Sequence, residues 1–116
     1  MARPFFERTT LQRRSAVDPA PDEYIDGLLV DEEPIGRWEE GQCQYGSDAV
    51  RIYPAYHCGK KVFLLERVWC PSMGYCASGT EEEIISFEEG VKMLLAHGAY
   101  ENMWAKALNG QWKEVA

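Results

Sequence analysis

The sequence predicts an α+β domain in which a small antiparallel β-sheet, a hairpin over residues 49–69 with short flanking strands, packs against C-terminal helices. Three observations point there. The chain has 116 residues, 46% of them hydrophobic, which suits one domain able to bury a core without disulfide or metal staples. Apolar residues alternate with period two through residues 49–69, the signature of a strand. From Ser86 onward they recur at the helical spacing of 3.6, behind a Ser-x-x-Glu start.

Taken in order, residues 1–22 contain "SAVDPAPD", rich in proline and small residues, and read as an extended N-terminal arm preceding a single domain over 23–116. Such an arm either stays loose or docks through Phe5 and Phe6 on its own domain or on a partner. "EYIDGLLV" over 23–30 is a short apolar run with Gly27 inside it, and periodicity leaves helix and strand both open. "IGRWEE" over 35–40 is compatible with a short strand, and "GQCQYGSD" has the glycines and Ser-Asp pair of a connecting loop. Val50, Ile52, Pro54 and Tyr56 share one face of an extended segment; Pro54 has no N–H for a ladder, which favours an edge or a bulge.

"KVFLLERVW" over 61–69 is the strongest strand, because Val62, Leu64 and Val68 oppose Phe63, Leu65 and Trp69 and both faces are apolar. The short Gly-containing loop before it makes a hairpin. "TEEEII" is expected to return as a further strand. Ser86 and Glu89 then form a capping box, Phe87, Val91, Leu94 and Leu95 a helical stripe, and Gly98 a stop. Tyr100, Met103, Trp104, Ala107 and Leu108 make a second helical stripe.

The net charge is −7, which argues against direct nucleic-acid binding, since that rests on Lys and Arg neutralising phosphates. Arg3, Arg8, Arg13 and Arg14 sit against Glu7 at the start, whereas residues 18–40 carry nine acidic residues against Arg37. No run approaches the ~18 apolar residues of a membrane span. The first residues contain no apolar stretch of the kind a secretory leader needs, so a cytoplasmic protein with reduced thiols is expected.

Cys43, Cys58, Cys70, Cys76 and His57 invite a metal reading, with Cys58, Cys70, Cys76 and His57 its candidate ligands. The cysteine intervals are C-x14-C, C-x11-C and C-x5-C. None is the close pair by which a knuckle presents two sulfurs to one zinc ion, and no C-x-x-C redox pair exists. "CPSMGYC" has the loop length of a C-x5-R phosphate cradle but places Cys76 where the arginine belongs. P-loop, dinucleotide, zincin and nucleophile-elbow signatures are missing from the sequence. No cofactor is called for.

The expected function is therefore a small acidic, non-enzymatic binding or regulatory module for a protein partner. Trp112, Tyr100, Trp38, Phe5 and Phe6 are its candidate contact residues, because aromatic side chains dominate interface hot spots. A sharper version has the acidic surface imitate nucleic acid and inhibit a basic nucleic-acid-binding protein, as small phage-type inhibitors do. Self-association is compatible with the same features. The alternative is a metal-linked or thiol-dependent activity centred on residues 57–76. The order of hairpin, acidic turn and capped helix is similar to that of many small bacterial proteins, and no motif in it specifies a function.

Overall fold

The computed structural model describes residues 5–15, 20–43, 46–69 and 79–97. Within them the chain forms seven strands and one helix: β1 (Phe5–Leu11), β2 (Arg13–Ser15), β3 (Glu23–Asp31), β4 (Gly36–Cys43), β5 (Gly46–His57), β6 (Lys60–Trp69), β7 (Gly79–Ser86) and α1 (Phe87–Ala96). Every strand pairing is antiparallel. This corrects the α+β expectation: the described residues form a sheet-dominated fold carrying one short helix, not a small sheet under a layer of helices. The second expected helix, over 100–108, lies outside the described residues.

The sheet runs β1-β3-β5-β6-β7-β2, with β4 also paired to β5. Its two ends belong to one segment. β1 and β2 are separated only by Gln12, yet β1 pairs with β3 and β2 with β7, so residues 5–15 fasten both edges and close the sheet on itself. The join is made at Gln12, whose carbonyl accepts from the Glu82 N–H at 3.0 Å and whose own N–H donates to Glu82 Oε1 at 2.8 Å. Residues expected to form an arm thus complete the sheet, because closure is the route by which a sheet loses its unpaired edges.

The β5–β6 hairpin turns through Cys58 and Gly59, both at positive φ (52° and 82°). That is the primed two-residue turn whose twist matches its strands. Gly27, at φ 74°, lies beside this turn: its carbonyl accepts from the Cys58 N–H at 2.8 Å, and a Cβ there would stand 2.8 Å from Cys58 Sγ. After β3, Asp31 Oδ1 accepts from the Glu33 N–H at 3.0 Å, an Asx-type bend. The bend sends the chain back to β5, so that β3 pairs with residues 55–57 and β4 with residues 46–52.

Alternation along β5 and β6 sorts the core onto two faces. Val50, Ile52, Tyr56, Phe63, Leu65 and Ile85 gather with Ile35 and Leu94 beneath α1. Leu11, Leu28, Val30, Ala55, Val62 and Leu64 form the opposite cluster, inside the closed sheet. α1 begins at Ser86, whose Oγ accepts from the Glu89 N–H at 3.1 Å, with Glu88 and Glu89 in the first turn. Leu94 is buried while Leu95 is exposed. Gly90 lets the helix backbone rest on the Phe63 ring, which any Cβ would overlap.

Candidate functional site: an acidic cleft beside the closure

The inner face of the sheet is not apolar throughout. Beyond Val30 and Leu64 it opens into a cleft of about 390 Å³, at the lower end of the ~300–1,000 Å³ typical of ligand pockets. β1 contributes Phe6 and Arg8, β5 Tyr53, β6 Glu66 and β7 Glu82, with Glu7, Asp31 and Glu32 also on its walls. Strand periodicity places Phe6, Arg8, Tyr53, Glu66 and Glu82 there. Phe6 and Arg8 pair with Val30 and Leu28, Tyr53 with Leu64, and Leu64 with Ile84, so residues two apart continue the same face.

A charged rung crosses the cleft floor. Arg51 stands opposite Glu66 across β5 and β6, and Glu66 opposite Glu82 across β6 and β7. Carboxylates directly opposite one another repel, and each is answered by its own arginine. Arg51 Nη1 donates to Glu66 Oε1 at 2.9 Å, and Arg8 Nη2 donates to both oxygens of Glu82 at 2.5 Å. Glu82 is 1% exposed. With the Gln12 N–H it accepts three hydrogen bonds, as a buried carboxylate requires. Tyr53 OH donates to Glu66 Oε1 at 3.4 Å. Burial first, and then the Glu66 carboxylate, push the Tyr53 phenol above its ordinary pKa, so it stays protonated as a donor.

Among the described residues no three His, Cys, Asp or Glu side chains are gathered so as to hold a metal ion. Cys58 is exposed in the hairpin turn, its Sγ 3.9 Å from the Asp26 carbonyl, and His57 is half-buried at the end of β5. Cys70 and Cys76 lie outside the described residues, as do Tyr100 and Trp112. Phe5 meets Tyr56 edge-on at 5.1 Å, and Trp38 stacks on His97 at 4.2 Å and 9°. Both pack against the cluster under α1. Phe6 is 48% exposed on the cleft rim. Of the three described aromatic candidates, Phe5 and Trp38 thus serve one core cluster and Phe6 alone lines the cleft.

The residues that make the cleft polar were not singled out from sequence. Glu66 and Glu82 each carried one signal: a charge placed two residues from an apolar side chain on the same strand face, Leu64 and Ile84. No helix in the described residues is long and apolar enough to cross a membrane. Comparison of the chain with protein-family models, with curated proteins and with solved structures finds no match.

Proposed function

We propose that the protein is a small non-enzymatic binding module, acting in the cytoplasm, whose acidic cleft receives a basic segment of a protein partner. The observation that carries this reading is the composition of the cleft: five carboxylates, those of Glu7, Asp31, Glu32, Glu66 and Glu82, line it with Arg8, Phe6 and Tyr53, so that they outnumber the two guanidiniums that reach them, Arg8 at Glu82 and Arg51 at Glu66. Carboxylates recognise guanidinium and ammonium groups, and aromatic faces add cation–π attraction for the same groups. The net charge of −7 supports the same partner class, since it speeds encounter with a basic surface. In its sharper form the module competes for the basic groove of a nucleic-acid-binding protein.

Binding of a labelled arginine-rich peptide, followed by fluorescence anisotropy at low and high salt, tests the reading. The expected result is an affinity that falls steeply with salt and is weakened by Phe6→Ala, with no binding of a glutamate-rich control. Equal affinity for the two peptides, or indifference to substitutions in the cleft, refutes it.

A further inference from the structure

We propose that Arg8 is a resident occupant of the cleft: its guanidinium fills in cis the place that an arginine side chain of a partner takes, and its displacement loosens β1. The inference rests on the reading of the cleft as a site for basic segments, and it names how that site is regulated.

Glu82, one of two fully buried carboxylates on the cleft wall with Asp31, already holds a guanidinium. The Arg8 side chain is 34% exposed while that of Glu82 is 1% exposed, so the occupant is open to competition and the acceptor is fixed. Both contacts to Glu82 use one nitrogen, Nη2, while Nε donates to the Thr10 carbonyl at 3.2 Å. Guanidinium–carboxylate pairs favour a fork of two parallel N–H donors. Tethered to β1, Arg8 reaches Glu82 with a single prong. An arginine entering from the open side of the cleft is free to present the fork.

Arg8 also sits where β1 is least secured. The pairing with β3 shifts register between Arg8 and Thr10, and Leu11 is the strand's one fully buried side chain. Arg51, the partner of Glu66, is held differently, on a central strand paired on both sides. Loss of the Arg8 contact is therefore transmitted to β1 and to the Gln12 junction and stops there. A ligand favours one state only by its difference in affinity for the two; here the partner binds the released state, and Arg8 holds the other.

The test titrates the isotope-labelled protein with a short peptide containing one arginine, and with its lysine counterpart. The readouts are the Arg8 Nε–H resonance and amide hydrogen exchange over residues 5–12. The expected result is that saturating arginine peptide shifts the Arg8 signal and speeds exchange at Gln12 and its neighbours in β1 several-fold. Arg8→Gln, which keeps a donor for Glu82, should bind the peptide about tenfold more tightly, as removal of a competing state requires. Binding that leaves the Arg8 signal and β1 exchange unchanged overturns the displacement and leaves the binding reading standing. No binding to the wild type or to folded Arg8→Gln overturns the binding reading, and this proposal with it. If Arg8→Gln fails to fold, the wild-type measurements decide alone, and no binding at millimolar peptide overturns both.

Discussion

Replacing Arg8 with alanine measures how much the closure of the sheet depends on a single ion pair. The substitution leaves the Glu82 carboxylate, 1% exposed, with the Gln12 N–H as its remaining donor. Removing one partner of a buried pair costs about 3–5 kcal/mol, mostly because the other charge stays buried without compensation. Arg8 is itself 34% exposed and water can enter where it stood, so the lower end, about 3 kcal/mol, is expected. Against the ~5–15 kcal/mol of an ordinary domain that is a large share. Arg8→Met with Glu82→Leu removes both charges and should cost less, about 1–3 kcal/mol, which is the penalty for leaving the Gln12 amide without its acceptor. Urea unfolding followed by tryptophan fluorescence reads both variants. With a slope of ~1–3 kcal/mol per molar, the single variant should lose about 1–3 M in midpoint and the double variant less. A loss below about 1 kcal/mol for Arg8→Ala would mean that the pair behaves as a surface salt bridge, and the argument that it secures β1 to β7 would be refuted.

Ser86→Ala should cost about 0.5–2 kcal/mol through loss of the hydroxyl that accepts from Glu89, and an unchanged unfolding midpoint would show that α1 does not depend on this cap. Gly90→Ala would gain about 1 kcal/mol in an isolated helix, but its Cβ overlaps the Phe63 ring; a net destabilisation of about 1–3 kcal/mol is expected, and a raised melting temperature would contradict the packing. Tyr53 has a pKa raised by burial and by Glu66. Its folded-state value therefore exceeds the ~10 of an unfolded chain, and the stability it contributes is complete below about pH 10 and lost as pH rises through the folded value. Tyr53→Phe should flatten that alkaline loss, and identical stability profiles for the two proteins above pH 10 would contradict it.

The β5–β6 hairpin and the start of α1 were legible because their signals are local: alternation over consecutive residues, and a cap three residues from its partner. β1 and β3 were not, and the reason is physical. The register shift between Arg8 and Thr10 moves the inward position from Arg8 to Leu11, so "FFERTTL" shows no period of two. Gly27, at positive φ, does the same to β3, where Ile25 and Leu28 pack toward the same cluster three residues apart. Bulges of this kind bend a strand at the expense of its pattern. The cleft was illegible for another reason. A glutamate in a strand reads as a solvated position, and only the register that sets Glu66 opposite Glu82 turns two such residues into a rung, buried at Glu82 and half-buried at Glu66, needing two arginines. Phe6 was singled out as an aromatic contact residue, without anything in the sequence to place it beside them.

The double fastening of residues 5–15 also sets an order of events during folding. Arg8 and Glu82 are 74 positions apart in the chain, so the contact that completes the sheet has a high loop-closure cost and none of the local support that lets helices and hairpins form early. On a ribosome, β1 can find β3 soon after synthesis, but β2 has nothing to meet until β7 emerges. Until then a nascent chain carries open strand edges that can pair with other chains. The polar "ERTT" run of β1 suits that interval: it keeps the stretch between Phe6 and Leu11 soluble and confines the apolar side chains of the strand to its two ends until the chain locks.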